Sequence, residues 1–544
     1  MEKPNLKLIV AASAAGTAFE WYDFFIFGTL TSIIGKNFFS SLPEATATLF
    51  ALLTFGLGFV ARPIGALVFG HIGDRKGRKG TFLYTILIMG LATILIGFLP
   101  TFAMAGIISP ILLLSMRVIQ GFALGGEYGG AAIYVAEHSP ARLRGKYTGG
   151  VQTSAAIGLM AALGIIWVTR TLTGEPQFAD WGWRIPFIVS TGLLVVSVII
   201  RTKTAESPSF KALYEEKALT KAPFKDSFGQ WKNLKKVIIA LFSMLTAQGV
   251  IWYTSFFYTQ VYLEKTVKLD PALITDLIFG MTLITAPLYW SFAALSDRFG
   301  RKPIMLAGML LATISFIPGF NLMLKLANPD LDQAMKATPI MISADPKSCH
   351  FQFNPVGNAQ FSSACDVAKG LVTNLGLPYQ SRDITTPVAA IDMGATHLDI
   401  ASLDHLKAGD AKALKAKDLA SLKAALKAAH YPDKADTKKA NLWGVLGVLV
   451  LFGVACTALY GPMASALVEM FETKVRYTAL SLPYNIGTGW FGGLLPAISF
   501  AMVAASGNIY FGLWYPVGIG ILACIVTVLC LKETSGRDLD NITD

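Results

Sequence analysis

The stretch GHIGDRKGRK (residues 70–79) decides the fold, because it follows an apolar segment and its core recurs once further along the chain. The recurrence is DRFGRK (residues 297–302), which follows another apolar segment. A short basic loop repeated at corresponding places predicts a chain built from two similar halves, as in transporters with parallel repeats.

A second pair of residues repeats in the same way. Glu137 is followed seven residues later by Arg144, and Glu469 is followed at the same spacing by Arg476. These two copies lie farther apart in the chain than the two copies of the basic loop. The second half must therefore contain an extra segment before Glu469, and the polar stretch 328–440 fits.

The composition is that of a membrane protein. Of the 544 residues, 53% are hydrophobic and 15% are charged, whereas soluble proteins have about 25% charged residues. The net charge of +11 could indicate nucleic-acid binding. However, the basic residues cluster in short loops between apolar segments, as the positive-inside rule describes, so the sequence predicts a lipid bilayer and no nucleic acid as partner.

Twelve apolar segments are long enough to cross a bilayer, which takes about 20 residues. They lie near residues 8–34, 48–70, 80–100, 108–136, 147–170, 184–201, 236–263, 271–295, 303–326, 442–469, 477–504 and 509–531. The prediction is an all-α membrane protein of twelve transmembrane helices in two six-helix bundles, with an extracytoplasmic insertion.

The basic loops alternate with loops poor in Lys and Arg, which places the basic loops and both termini in the cytoplasm. The predicted parts are an N-terminal bundle, a cytoplasmic linker, a C-terminal bundle in two pieces, an extracytoplasmic insertion and a cytoplasmic tail. They cover residues 1–201, 202–235, 236–327 with 441–531, 328–440 and 532–544.

The insertion contains Cys349 and Cys365, the two cysteines outside the apolar segments. An extracytoplasmic compartment is oxidising enough to maintain a disulfide between them. The alternative is two unpaired surface thiols. The run 403–430 is rich in Ala, Leu and Lys, which favours a helix on propensity.

Several motifs resemble those of a known superfamily. The loop 70–79 resembles the signature loop of the major facilitator superfamily, and RVIQG (117–121) resembles its fourth-helix motif. More narrowly, FEWYDF, ARP, GGE and YVAE are similar to motifs of the metabolite:proton symporter family; they occupy residues 19–24, 61–63, 125–127 and 134–137. The resemblance covers the chain outside 328–440. It implies proton-coupled transport of a dicarboxylate, citrate, shikimate, proline or betaine.

Charged residues inside membrane helices are costly and mark functional sites. Asp23 and Arg117 are candidates for proton coupling, together with Glu127 and Glu20. The resemblance implies that a first-helix Asp opposite a fourth-helix Arg couples proton binding to transport. A static ion pair is the alternative, and Glu20 could instead lie near the lipid interface or cap a network.

Candidate substrate-binding residues are the polar and aromatic side chains expected to face a central cavity. Arg62 could bind an anionic substrate, or it could organise the second helix beside Pro63. The full set is Arg62, Gln120, Tyr253, Tyr484 and Asn485.

The repeated loops are predicted to be gates that latch helix ends in one conformational state. Arginine guanidinium groups pair with carboxylates through two parallel hydrogen bonds, and carboxylates are favoured at helix N-termini. The predicted gating residues are Gly70, Asp74, Arg75, Gly77, Arg78, Asp297, Arg298, Arg301, Glu137, Arg144, Glu469 and Arg476.

The predicted function is secondary active transport, so the chain is predicted not to be an enzyme. The sequence contains no phosphate-binding Gly-x-x-x-x-Gly-Lys-Ser/Thr loop and no zinc-type cluster; no cofactor and no metal are expected. The leading hypothesis is symport of a small metabolite, with a carboxylate favoured, together with protons across a bacterial inner membrane. Alternatives are an osmolyte or zwitterion symporter, and a membrane sensor whose 328–440 segment binds an extracytoplasmic partner.

Overall fold

The computed structural model describes residues 6–40, 44–202, 206–353, 361–386 and 388–539. Residues 203–205 of the predicted linker and residues 540–544 of the predicted tail lie outside the described residues.

Outside the insertion, twelve long helices of the described chain form the bundle. We label α1 to α12 the helices Leu6–Phe38, Glu44–Lys76, Arg78–Phe98, Ile108–His138, Ala141–Thr173, Arg184–Thr202, Trp231–Lys265, Pro271–Phe299, Arg301–Ala327, Leu442–Met470, Arg476–Ser506 and Phe511–Cys530. The last ten are long and apolar enough to cross a membrane. Helices α1 and α2, each of 33 residues, pack along α5 and α4.

Shorter helices connect these elements. They are Phe102–Ala105, Glu175–Gln177, Pro208–Glu215 and Pro223–Phe228. The last two lie in the linker between α6 and α7, each with a proline in its first turn, where the missing N–H costs nothing.

The two motif glycines begin corresponding helices in the two halves. Gly77 precedes α3 with φ 115° and Gly300 precedes α9 with φ 97°, a backbone region that glycine tolerates best. A Cβ on Gly77 would lie 2.5 Å from Glu206, and one on Gly300 would lie 2.5 Å from Glu533. The repeated glycines are therefore required by the backbone conformation, and a glutamate carboxylate packs against each.

Contacts between α1–α6 and α7–α12 run mainly along two helix pairs, α5 with α8 and α2 with α11. Small residues let these helices approach closely. A Cβ on Gly70 would lie 2.9 Å from the Cα of Thr478, and one on Gly145 would lie 2.3 Å from the carbonyl oxygen of Ala293. The halves are thus in direct backbone contact at the end of the bundle that contains the repeated loops.

Helices α7 and α11 contain π-helical turns. These are Leu241–Leu245 and Thr254–Tyr258 in α7, and Ile486–Gly492 in α11. The two helices touch there, since a Cβ on Gly249 would lie 2.6 Å from the carbonyl oxygen of Gly487. Such turns occur often at functional sites, and Thr488, in the α11 turn, lines the cavity described below.

The insertion is a small α/β unit, so the all-α prediction is wrong for this segment. Its strands β1 to β4 are Ile340–Ala344, Gln380–Asp383, Ala389–Met393 and Thr396–Ile400, in the order β2-β1-β3-β4. Strand β1 pairs parallel with β2 and antiparallel with β3. Strands of four or five residues give too short an alternation to be distinguished from loops in a polar sequence.

Three helices accompany the sheet: Pro329–Ala337, Ala364–Asn374 and Ala408–Ala428. The last of them lies inside the run 403–430 that was predicted to be helical. Cys349 and Cys365 are joined by a disulfide, with their Cα atoms 5.2 Å apart.

The insertion docks on the second half, at the end away from the α8–α9 loop. The Tyr379 N–H donates to the Gly507 carbonyl at 2.9 Å, and Lys268 Nζ donates to the Pro432 carbonyl at 3.1 Å. The Asn441 N–H donates to the Leu326 carbonyl at 2.8 Å. The insertion therefore begins and ends at adjacent points of the bundle.

Candidate functional site

Two aspartates each cap a helix of the opposite half. Asp74, in the first half, accepts hydrogen bonds from the N–H groups of Tyr477 (3.1 Å) and Thr478 (2.9 Å) at the start of α11. Asp297, in the second half, accepts two bonds of 2.8 Å from N–H groups at the start of α5. A carboxylate at a helix N-terminus is stabilised by the helix dipole, so both contacts stabilise the closed arrangement of the halves.

Two buried ion pairs cross the same interface. Glu137 lies 2.5 Å from Arg476, and Glu469 lies 2.8 Å from Arg144. All four side chains are at most 4% exposed. Each pair joins a residue of the first half to one of the second.

The motif arginines connect the caps to the ion pairs. Arg78 lies 3.4 Å from Asp74 and 3.8 Å from Glu137. In the second copy, Arg301 lies 2.6 Å from Asp297 and 3.3 Å from Glu469. We call these two clusters together the latch; its members are Asp74, Arg78, Glu137, Arg476, Asp297, Arg301, Glu469 and Arg144.

Arg75 and Arg298 were expected in this network, but both are exposed to solvent. Arg75 Nη1 lies 3.3 Å from a ring nitrogen of His71, one helical turn away. Arg75 and Arg298 each follow directly after the motif aspartate. On a helix, this next position faces outward when the aspartate faces the other half.

Two glutamates that cap helices beside the latch were not predicted from the sequence. Glu206 accepts hydrogen bonds from the N–H groups of Arg78 and Lys79 at 3.2 Å, and Glu533 accepts from those of Arg301 (2.9 Å) and Lys302 (3.1 Å). The signal was present, since Glu206 and Glu533 lie four and three residues after the last helix of each half. It was weak because helix capping by a residue distant in the chain has no fixed sequence spacing.

A narrow central cavity lies between the halves. Helices α1 and α2 contribute charged and aromatic side chains to it, and α7 and α11 contribute polar and aromatic ones. Its lining is Glu20, Trp21, Phe24, Arg62, Gln248, Trp252, Tyr253, Tyr484 and Thr488. Among the predicted substrate residues, Arg62, Tyr253 and Tyr484 are thus brought together here, whereas Gln248 was missed.

Asp23 and Arg117, predicted to form a direct pair, are connected through Gln120. The Gln120 amide donates to both Asp23 oxygens at 3.1 Å and 3.0 Å and accepts from Arg117 at 2.8 Å. It also lies 2.8 Å from Thr93 Oγ1. Gln120 was predicted to bind substrate, but its amide is engaged in this buried network.

The Asp23 network borders a second, smaller cavity. Arg62 and Phe24 line both cavities, whereas Asp23, Arg117 and Gln120 line the smaller one. The guanidinium carbon of Arg62 lies 4.5 Å from the centre of the Phe59 ring. Arg62 therefore stands between the space that Glu20 lines and the space that Asp23 lines.

Glu127 lies apart from both cavities. It is fully buried and is 3.7 Å from Arg201, a residue that the sequence reasoning did not select. Arg201 lies at the end of α6, over the Phe82 ring, and donates to the Phe82 carbonyl at 3.0 Å. Its position at the end of an apolar segment made it resemble the basic residues that commonly flank membrane helices.

Asn485 was predicted to bind substrate, but it does not line the cavity. Its side-chain amide donates to the Gly125 carbonyl at 2.9 Å and to the Ser481 carbonyl at 2.8 Å. The first bond crosses from α11 to α4, so this residue holds the halves together.

Comparisons with known proteins agree with this architecture. The family model described as sugar (and other) transporter matches residues 8–224, 210–343 and 424–544. The shikimate transporter of Escherichia coli K12 is 38% identical over 57% of this chain and 70% of its own length. A putative proline/betaine transporter of Staphylococcus haemolyticus is 28% identical over 98% of this chain and 89% of its own.

A solved structure shares the fold at low identity. A double-tryptophan mutant of XylE covers 98% of this chain and 98% of its own, with a TM-score of 0.66 and 14% identity. XylE is described as a proton:xylose symporter of the major facilitator superfamily.

Proposed function

This chain belongs to the sugar (and other) transporter family of the major facilitator superfamily, and from that premise we propose that it is a proton-coupled symporter of a small organic carboxylate. Membership makes it a multi-pass membrane transporter rather than an enzyme. We propose three further points: that the substrate is a carboxylate, that its transport is coupled to protons, and that the mechanism is alternating access.

The observation that carries the proposal is the position of Arg62 between the two cavities. Arg62 is partly buried, and a guanidinium binds a carboxylate through paired, charge-assisted hydrogen bonds. Beside it, the Asp23–Gln120–Arg117 network holds an ionisable carboxyl close to a fixed cation. A substrate carboxylate bound to Arg62 would therefore change the electrostatic environment of Asp23, which is what coupling of substrate to proton requires.

The latch supplies the second element of alternating access. It closes one end of the bundle with two caps and two ion pairs between the halves, while the cavity lies deeper along the same interface. A transporter must break such contacts to expose its site on that side. We assign the latch to the cytoplasmic side, because both copies lie in the basic loops.

The proposed topology has twelve spans, both termini in the cytoplasm and the insertion outside it. The test is labelling with a membrane-impermeant thiol reagent on intact cells, before and after mild reduction. Labelling of Cys349 and Cys365 only after reduction supports the disulfide and the location. Labelling only after the membrane is opened would overturn the topology.

The experiment for function is uptake by proteoliposomes under an imposed pH gradient. Carboxylates and zwitterions are offered in turn, with and without a protonophore. We expect accumulation that collapses when the gradient is removed. Equal uptake with and without the gradient would reject proton coupling.

Deleting residues 329–440 tests whether the insertion contributes to transport. The Leu326–Asn441 hydrogen bond places the two ends side by side, so the deletion can be closed without stretching the bundle. Retained transport places the site in the bundle. Loss of transport by a folded deletion variant would show that the insertion takes part in transport, whereas absence of substrate-linked proton flux in the full chain would favour the sensor alternative.

A further inference from the structure

The chain that follows α12 runs along the latch, and we call its residues 535–539 the strap. The Arg537 carbonyl accepts a hydrogen bond from Arg144 Nη1 at 3.0 Å. The Leu539 carbonyl accepts one from Arg476 Nη2 at 3.1 Å. Because Arg144 and Arg476 are the arginines of the two cross-half ion pairs, the strap contacts both clusters of the latch.

The strap provides a hydrogen-bond acceptor to a fully buried arginine. The side chain of Arg476 is 0% exposed. Its Nη1 donates to Glu137, and its Nε donates to the Phe471 carbonyl at 3.0 Å. The third nitrogen, Nη2, donates to the Leu539 carbonyl of the strap. Since a buried guanidinium is costly unless its N–H groups are paired, loss of the strap would destabilise this side chain in its closed position.

One contact of the strap joins the two halves. Arg144 lies on α5 of the first half, whereas Glu469 and Arg537 belong to the second half. Arg144 Nη1 donates to Glu469 at 2.8 Å and to the Arg537 carbonyl at 3.0 Å. Hydrogen bonds with an ionised donor are stronger than those between neutral groups. Separation of the halves at the latch must therefore break the bond to the strap as well as the ion pair.

Both ends of the strap are held by the second half. Just before it, Glu533 accepts hydrogen bonds from N–H groups at the start of α9. At its end, the Leu539 carbonyl also accepts from Thr473 Oγ1 at 3.0 Å, and Leu539 is 5% exposed. The Thr473 carbonyl in turn accepts from Arg78 Nη2 of the first half at 2.6 Å. The strap is therefore fixed in position beside the interface between the halves.

The strap contains a turn at Gly536. Its φ of 79° lies in the left-handed region, which glycine adopts at little cost and which β-branched residues avoid. A Cβ at this position would meet no neighbouring atom within 4 Å. A substitution of Gly536 therefore acts through the backbone conformation and not through a steric clash.

The corresponding segment of the first half follows a different course. Glu206 caps α3 in the way that Glu533 caps α9. The hydroxyl of Ser207 then donates to Glu137, and the helix Pro208–Glu215 begins directly afterwards. The strap is thus a feature of the second half, and the repeated motifs did not indicate it.

We propose that the strap regulates the latch by holding it closed, so that release of the strap controls how often the chain opens on the latch side. None of its contacts described here involves a residue that lines either cavity, so the strap acts in the same way with any substrate. Contacts made only in the closed state lower the population of the open state. A hydrogen bond to a charged donor is strong enough to change such an equilibrium about tenfold.

Two matched pairs of variants test the strap, and each variant keeps the full chain. Gly536→Val places a β-branched residue at a positive φ, whereas Gly536→Asn places there a residue that tolerates this region. Leu539→Ser removes a buried apolar side chain, whereas Leu539→Met keeps an apolar side chain of similar volume. The full-length parent is the reference for all four.

The reporter of latch opening is a cysteine at the interface, introduced as Ser481→Cys. Ser481 is 0% exposed near the start of α11, and a Cβ on Gly129 of α4 would lie 2.3 Å from its hydroxyl oxygen. This hydroxyl has no hydrogen-bond partner among the described residues, so the substitution removes no hydrogen bond. Cys530→Ser removes the exposed native thiol. The measurement is the rate at which a water-soluble maleimide alkylates the purified chain.

A thiol that only the open state exposes reacts in proportion to the population of that state when opening and closing are fast. We expect Gly536→Val and Leu539→Ser to raise the alkylation rate about tenfold above that of the parent. Gly536→Asn and Leu539→Met should react at the parental rate.

Equal alkylation rates in the parent and in all four variants would overturn the strap. The same variants without Ser481→Cys measure the reaction of the buried native thiols. A matching rise in these chains would show general loosening of the fold instead of latch opening, and would overturn the strap as well.

Discussion

The latch is built twice, whereas the charged part of the cavity is built once. Each half contributes an aspartate cap, a motif arginine, a glutamate and an arginine to the latch at corresponding positions. By contrast, every charged side chain that lines the two cavities comes from α1, α2 or α4 of the first half. The second half contributes neutral polar and aromatic side chains.

This difference reflects what each region must do. A gate between two halves that move relative to each other contacts both halves. Equivalent contacts from each half then contribute equally to the stability of the closed state. A binding site for a small ligand needs only one set of charges, because a second buried pair would add desolvation cost without adding recognition. The sequence repeat is therefore retained in the latch, to which both halves contribute equally, and lost in the cavity, where only the first half supplies charged side chains.

The largest effect is expected from a substitution among the charged cavity residues of the first half. Asp23→Asn should abolish accumulation against the pH gradient, since an amide cannot bind and release a proton at this position, while exchange of substrate across the membrane can persist. Accumulation in proteoliposomes is the measurement, and Asp276→Asn, exposed on α8 of the second half, is the control. Full accumulation with intact proton dependence would reject the role of Asp23.

The next effect tests the equality of the two ion pairs. Glu137→Gln and Glu469→Gln should each lower the free energy of unfolding by about 3 kcal/mol, because each leaves a buried arginine without its counter-charge. Glu175→Gln, which breaks a surface pair with Arg170 at 3.7 Å, should cost no more than about 0.5 kcal/mol. Chemical unfolding in micelles compares the three. A large loss of stability for only one of the two glutamate substitutions would show that the two ion pairs do not contribute equally.

The two helix caps should give a smaller, matched effect. Asp74→Asn and Asp297→Asn remove a carboxylate from a helix N-terminus but leave Arg78 and Arg301 beside Glu137 and Glu469, so each should cost about 1 kcal/mol. Because the caps act between the halves, turnover should change more than substrate affinity. Parallel uptake and binding measurements decide this, and a large affinity loss with unchanged turnover would contradict a gating role.

The smallest effect is expected at the caps within each half. Glu206→Gln and Glu533→Gln leave the cross-half contacts in place and weaken only the starts of α3 and α9. Each should cost about 0.5 kcal/mol in the same unfolding assay. A substantially larger loss of turnover at either position would show that these glutamates also act between the halves.

The sequence predicted the features that depend on local pattern. Apolar length predicted the membrane helices, the repeated loop predicted the latch residues Asp74, Arg78 and their counterparts, and the polar stretch predicted an insertion. These follow from the chain itself, because helix-length hydrophobicity and exact motif recurrence do not require knowledge of which segments meet.

Only the tertiary structure decided which side chains face one another. It placed Gln120 between Asp23 and Arg117, turned Asn485 to the Gly125 carbonyl, and moved Arg75 and Arg298 to the surface. It also brought Gln248 to Glu20 and Arg62 from a helix far along the chain. A residue's position in the sequence predicts its helix, but its partners depend on how two helices rotate and approach, which is set by packing over the whole interface.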